Sequence, residues 1–315
     1  MVAAEDNILI LKDGRRLGYG DYGDPEGWPV LFFHGTPGSR LMARFAGGEA
    51  ARQGVRLIAP ERPGFGLSDF QPGRRLLDWP EDVAGLAAAL GLDRFAVVGL
   101  SGGGPYALAC AWKMPDRVAV AGIISGLGPV DFPEVRRGLG WGHRLTLLGV
   151  QRAPVLLRPA LGLLATLAQR RPEQIIRLLG RTAPPTAREI LRRPEVQRAQ
   201  MDGIQEAFRG GVRGVVQEMG LLCRPWGFAV EEIRVPVYLW HGEADAIIPV
   251  HMGRFLAGRI PTCRAFFLPK ADHLWIFEAY REVLGVVGGQ GSVVRGQWSG
   301  VSGQGLVVRG QWSGA

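Results

Sequence analysis

Val97-Val98-Gly99-Leu100-Ser101-Gly102-Gly103-Gly104 decides how the rest of the chain is read. An apolar run ends in Gly-x-Ser-x-Gly, and a helix-forming stretch from Tyr106 to Lys113 follows directly. That order predicts a strand, a tight turn and a helix, with a serine at the apex of the turn. Such a turn forces Ser101 into strained backbone angles and excludes large side chains two residues to either side. Gly99 and Gly103 meet that demand, and the N–H of Gly102 is left facing the serine oxygen. Glycine makes up 47 of the 315 residues, so the pattern alone is a weak signal. Its rival is a Gly-rich turn whose serine only caps the helix.

The surrounding segments strengthen the first reading. Trp28 to Phe33 is a buried-strand pattern that runs into His34-Gly35-Thr36-Pro37-Gly38-Ser39. A loop of this kind after a strand can supply a second backbone donor to an oxyanion, here the N–H of Thr36 beside that of Gly102. Val235 to Trp240 is another strand, followed by His241-Gly242-Glu243-Ala244-Asp245. A carboxylate just past a strand end can orient a histidine. Cys263 to Leu268 forms one more strand, and Pro269-Lys270-Ala271-Asp272-His273-Leu274 follows it. The order Ser101, Asp245, His273 is that of nucleophile, acid and base.

These segments, with Glu61-Arg62-Pro63-Gly64-Phe65-Gly66-Leu67-Ser68, resemble the α/β-hydrolase superfamily over roughly Ile8 to Gly285. The resemblance implies a Ser101–His273–Asp245 triad, an oxyanion hole at Thr36 and Gly102, and neither a metal nor an organic cofactor. Asp245 is preferred to Glu243 because its Gly-x-x-Asp spacing matches the superfamily. Relatives carry Asp where Glu61 stands, in a loop read as structural. The superfamily spans esterases, lactonases, C–C bond hydrolases, aminopeptidases, thioesterases and perhydrolases. Its epoxide hydrolases and haloalkane dehalogenases use an aspartate nucleophile, and Ser101 argues against both. Fold does not fix function.

Strand-like segments near Ile8–Leu11, Leu17–Tyr22, Val30–Phe33, Arg56–Ala59, Phe95–Val98, Val120–Ile124, Val237–Trp240 and Arg264–Leu268 alternate with helical ones. The expected fold is therefore α/β: a mostly parallel, eight-stranded sheet with helices on both faces, opened by an N-terminal hairpin. The expected organisation is a core in two parts, 1–128 and 228–288, a helical lid at 129–227, and a Gly-rich tail at 289–315. Cys110, Cys223 and Cys263 are too few and scattered for a disulfide framework, and none is spaced for metal ligation. Met1 to Asp6 carries acids where a signal peptide needs positive charge. No uncharged apolar stretch reaches the about 18 residues that a membrane span requires. The expectations are a cytoplasmic location, no transmembrane segment and no nucleic-acid partner. Oligomeric state is not readable.

The insertion between Pro129 and about Gly227 holds 16 of the chain's 34 arginines, no lysine and eight acids. Its balance of +8 equals the net charge of the whole chain. In this superfamily such an insertion resembles a lid that shapes the pocket and excludes water. The arginines read first as solvated helix faces with snorkelling stems. A basic funnel for anionic substrates is the second reading, and an anionic membrane or nucleic acid the third.

Gly289 to Gly300 recurs as Gly303 to Gly314, with Ser292 replaced by Leu306. Two Gly-rich copies are too few for a solenoid, so the tail is expected to lack a fixed fold. Its alternative is a short hairpin or docking peptide using Val293, Val294 and Trp298. Elsewhere Asp272 reads as a turn acid, His34 and His241 as loop residues, His251 as a surface or capping residue, and His143 as a solvated or packed one. Ser68 and Ser125 lack the elbow context. The implied activity is hydrolysis of a small or medium acyl substrate, a carboxylic ester first. A proline-releasing aminopeptidase is the alternative and would need a lid acid, with Glu134, Glu206 and Glu218 as candidates. A non-catalytic ligand binder is a further alternative.

Overall fold

Residues 4–152, 157–289 and 306–309 are described by a computed structural model. Its strands are β1 (Ala4–Ile10), β2 (Arg16–Gly23), β3 (Trp28–Phe33), β4 (Val55–Pro60), β5 (Phe95–Leu100), β6 (Val118–Ile124), β7 (Val237–Gly242), β8 (Cys263–Leu268) and β9 (Leu306–Arg309). They form one sheet in the order β1-β2-β4-β3-β5-β6-β7-β8-β9. β1, β2 and β4 pair antiparallel, while β4, β3, β5, β6, β7 and β8 run parallel. The hairpin between β1 and β2 turns at Gly14, whose φ of 85° suits a residue without a Cβ.

The helices are α1 (Gly47–Arg52), α2 (Trp79–Ala89), α3 (Gly104–Lys113), α4 (Pro133–Arg137), α5 (Trp141–Arg152), α6 (Arg158–Arg170), α7 (Pro172–Thr182), α8 (Pro185–Leu191), α9 (Pro194–Ala207), α10 (Arg213–Leu222), α11 (Val250–Arg259) and α12 (Ile276–Val287). Alternation along the strands divides the core between two faces. Val30, Phe32, Leu57, Ala96 and Val98 point to one face, where α1 and α12 contribute Ala50, Val283, Leu284 and Val287. Leu31, Phe33, Ile58, Phe95 and Val97 point to the other, under Leu86 of α2, Leu108 of α3 and Leu256 of α11. Both faces are covered, as a parallel sheet requires.

All eight expected strands are present, and the sheet has the expected mostly parallel form. A ninth is added: Leu306–Arg309 pairs antiparallel with β8, from Phe267↔Leu306 to Arg264↔Arg309. The tail therefore differs from the expectation at these four residues. Leu306, Val307 and Val308 have strand-forming side chains, and β8 offers an edge to pair with. Val293, Val294 and Trp298 lie outside the described residues.

Helices α4 to α10 enter between β6 and β7. They bury two small clusters. One joins Ala168, Ile175, Ala207, Phe208 and Val215 to Phe65 of the Arg-Pro-Gly loop. The other packs Val135, Leu139 and Leu147 on Met252 of α11. Fifteen of the insertion's 16 arginines are exposed and Arg193 is half-buried. No described helix is long and apolar enough to cross a membrane.

Candidate active site

Parallel strands end on one edge of the sheet, so the loops after β3, β5, β7 and β8 converge there. Those loops carry Thr36, Ser101, Asp245 and His273. Ser101 follows β5 directly and has a φ of 54°, a left-handed conformation that L residues seldom hold. The two flanking glycines are sterically compelled. A Cβ on Gly99 would lie 2.3 Å from the Gly103 carbonyl oxygen, and one on Gly103 would lie 2.2 Å from that of Phe33.

Asp245 and His273 are brought together. His273 Nδ1 lies 2.7 Å from Asp245 Oδ2. Asp245 Oδ1 accepts the N–H groups of Ile247 and Ile248 at 2.9 and 2.8 Å. Burial pushes this carboxyl up, but the hydrogen bond and charge of His273 outweigh it and hold Asp245 below the ordinary carboxylate range. Among the described residues the Ser101 hydroxyl is not hydrogen-bonded to His273, so of the two links of the expected Ser101–His273–Asp245 set only Asp245–His273 is closed. Links of this kind commonly tighten when substrate arrives.

The Thr36 loop lies against the serine. Gly35 is so close that its Cβ would sit 3.6 Å from Ser101 Cβ, and a Cβ on Gly102 would sit 2.4 Å from Thr36 Oγ1. Among the described residues the Thr36 N–H has no hydrogen-bond partner. Two strand-end loops thus bring Gly102 against the Thr36 side chain and Gly35 against Ser101.

The other candidates take structural partners. Glu243 pairs with Arg254 at 2.7 Å near the surface. Asp272 accepts the Leu274 N–H at 2.7 Å and the Thr186 hydroxyl at 2.5 Å, tying α8 of the insertion to the residue before His273. His241 donates to the Ile248 carbonyl at 2.7 Å, and His251 to that of Val135 at 2.9 Å. His143 lies 3.3 Å from the Ile247 carbonyl. Ser68 bridges Gly18 and Glu61, and Ser125 accepts from the Trp275 indole at 3.2 Å. Glu61 is fully buried against Arg40 at 2.8 Å and accepts the Leu67 N–H at 2.7 Å. Burial pushes its carboxyl up despite Arg40.

A buried charge cluster behind the Thr36 loop was not legible in the sequence. Glu218 of α10 and Arg62 are each 0% exposed and bonded at 2.7 and 2.8 Å. Arg74 joins Glu218 at 2.8 Å, and Tyr106 donates to it at 3.2 Å. Burial pushes the Glu218 carboxyl up, yet Arg62 and Arg74 prevail and hold it at about 2. His34 sits beside them: burial and then the Arg62 charge push its pKa down to about 3. One signal was available. Glu218 stands at helical spacing from Val215 and Leu222, an acid on an apolar stripe, where a charge needs a buried partner.

The family model for the alpha/beta hydrolase fold matches residues 29–280. A 2-hydroxymuconate semialdehyde hydrolase of Pseudomonas putida is 36% identical over 148 residues, 45% of this chain and 51% of that protein. A non-heme chloroperoxidase of Streptomyces lividans is 39% identical over 130 residues, 39% of this chain and 45% of that protein. The chain thus spans about half the length of these curated relatives. Among solved structures, a thermophilic esterase from Thermogutta terrifontis aligns with a TM-score of 0.63 at 25% identity, over 90% of this chain and 97% of that one. By its sheet, its strand-end loops and the family match across most of its length, the chain belongs to the alpha/beta hydrolase fold family.

Proposed function

We propose that this protein is a serine hydrolase of small or medium acyl substrates, with carboxylic esters as the first class. The observation that carries the reading is the closed Asp245–His273 hydrogen bond on the same sheet edge as the strained Ser101. In the proposed cycle His273 takes the Ser101 proton as the serine oxygen attacks the carbonyl. Asp245 keeps the useful tautomer and stabilises the imidazolium. The N–H groups of Gly102 and Thr36 receive the oxyanion, each such donor being worth roughly 100- to 1,000-fold in rate. The alcohol leaves with the proton held by His273, which then activates water to release the acid. The insertion serves as the lid.

The aminopeptidase alternative has less support. Glu218 is held by two arginines, Glu206 lies 2.6 Å from Arg40 and 3.2 Å from Arg209, and Glu134 lies 4.0 Å from Arg259. Glu218 and Glu206 are therefore taken up by arginines, and Glu134 is exposed to solvent beside Arg259. A fluorophosphonate probe with mass-spectrometric mapping tests the proposal. Labelling at Ser101, lost in Ser101→Ala and His273→Ala, is expected together with turnover of short acyl esters. A folded protein that takes no label and hydrolyses no ester is a ligand binder instead.

A further inference from the structure

We infer that Glu218, on the last helix of the insertion, is a positioning residue that aims the Thr36 N–H at the reacting carbonyl. The inference rests on the hydrolase reading above and names a part of the same site. It follows from the geometry of one peptide group. The Gly35 carbonyl and the Thr36 N–H belong to the same planar unit, and in a trans peptide they point in opposite directions. The Gly35 carbonyl accepts from Arg62 Nη2 at 3.1 Å and from the His34 ring Nδ1 at 2.8 Å, and Arg62 Nη1 donates to the His34 carbonyl at 2.8 Å. Holding that carbonyl on the Arg62 side turns the Thr36 N–H away from it. The N–H is left without a partner among the described residues, in a loop that meets Ser101 and Gly102.

Arg62 can hold the loop only if it is itself held. Its Nε and Nη2 both donate to Glu218, at 2.8 and 2.7 Å, a two-point grip that fixes the plane of the guanidinium. The guanidinium also lies over the ring of Tyr106, its carbon 4.8 Å from the ring centroid. Glu218 also reaches the loop directly: the Thr36 hydroxyl donates to Oε1 at 2.5 Å. One carboxylate therefore fixes both the side chain of Thr36 and, through Arg62, the peptide that carries its N–H. Pro37 restrains the loop on the C-terminal side of Thr36, but Gly35 leaves the peptide that carries the Thr36 N–H free to turn unless it is held. An oxyanion donor acts through preorganisation, so a donor free to swing loses most of its effect.

The experiment combines amide dynamics with kinetics in the full-length protein. Thr36→Val removes the hydroxyl but leaves both Glu218–arginine pairs, so folding is retained. Thr36→Ser restores the hydroxyl. Glu218→Gln removes the charge that grips Arg62. The 15N order parameter of the Thr36 amide is expected near 0.85 in the wild type and in Thr36→Ser and below about 0.6 in Glu218→Gln, with Thr36→Val, which keeps the Arg62 grip on the Gly35 carbonyl, falling between them. On a short p-nitrophenyl ester, kcat is expected to fall about 10- to 100-fold in Thr36→Val and Glu218→Gln, with KM within about threefold. A rigid Thr36 amide in either variant overturns the inference, as does a loss confined to thermal stability. If Glu218→Gln does not fold, Thr36→Val decides. Should the wild type hydrolyse no ester, the hydrolase reading fails, while the order parameters still decide what Glu218 does to the loop.

Discussion

His273 Nδ1 lies 2.7 Å from Asp245 Oδ2, while the other carboxylate oxygen accepts two backbone N–H groups from Ile247 and Ile248. The carboxylate is anchored by its own loop before it reaches the histidine. It can therefore choose the tautomer of the ring instead of following it. Asp245→Asn keeps the shape but can favour the wrong tautomer. Ester turnover is expected to fall by about 10,000-fold, with the thermal midpoint nearly unchanged. A fall of less than tenfold would show that another acid supports His273.

The turn at Ser101 makes a steric prediction. A methyl group on Gly103 would lie 2.2 Å from the Phe33 carbonyl oxygen and 2.8 Å from that of His34. Neither backbone atom can swing aside as a flexible side chain can. Gly103→Ala is expected to destabilise the fold by about 1–3 kcal/mol and to displace Ser101 from its strained conformation. Urea unfolding and fluorophosphonate labelling measured on the same sample check both effects.

Acid stability follows from His34 and Glu218. Burial and Arg62 push His34 down to about 3, so the native ring refuses a proton that the unfolded chain accepts below its ordinary 6.5. Its contribution is complete above pH 6.5 and is lost as pH falls toward 3, at about 1.4 kcal/mol per pH unit. Glu218, held at about 2 against an ordinary 4.5, adds a second loss between those values. The urea midpoint should fall steeply from pH 7 to pH 4. In His34→Gln that slope should flatten by about one proton. Parallel slopes for the two proteins would contradict the assignment to His34.

Arg40 joins three parts of the chain. It is 2% exposed and bonds Glu61 at 2.8 Å, Glu206 of α9 at 2.6 Å, the Glu5 carbonyl at 2.6 Å, and Asp6. Arg40→Met strands the buried Glu61 carboxyl without its cation. The expected cost is about 3–5 kcal/mol, or roughly 10 °C in Tm, read by calorimetry at pH 7.

The tail is expected to be dispensable. β9 meets the sheet only along β8, which β7 already pairs on its other side. Truncation after Gly289 should leave ester kcat unchanged and Tm nearly so. A large drop in Tm would mean that the appended strand stabilises β8.

The strands and the serine elbow were legible because their causes are local. A short unbroken apolar run marks Val30 to Phe33 as a buried strand, and the crowding around Ser101 requires glycine at 99 and 103. The partners of Glu218 were hidden by distance along the chain. Arg62 is 156 residues away and Arg74 is 144, and no local pattern joins them. The same limit made Glu218 a candidate for binding a substrate ammonium, a role its two arginines now occupy.

The insertion shows the division most clearly. Its 16 arginines and net charge dominate the sequence, yet in the fold all of them but the half-buried Arg193 are exposed. The charges that matter inside are its carboxylates: Glu206 meets Arg40, and Glu218 meets Arg62 and Arg74. By itself the sequence determined which segments are strands, the turn that strains Ser101, and the family to which both belong. Those follow from steric and periodic rules acting over a few residues. The spacing already favoured Asp245 over Glu243 as the partner of His273, and only the tertiary structure decided which of the chain's charges are buried together. A charge removed from water is tolerated only beside a partner, and the fold alone determines which partners come within reach.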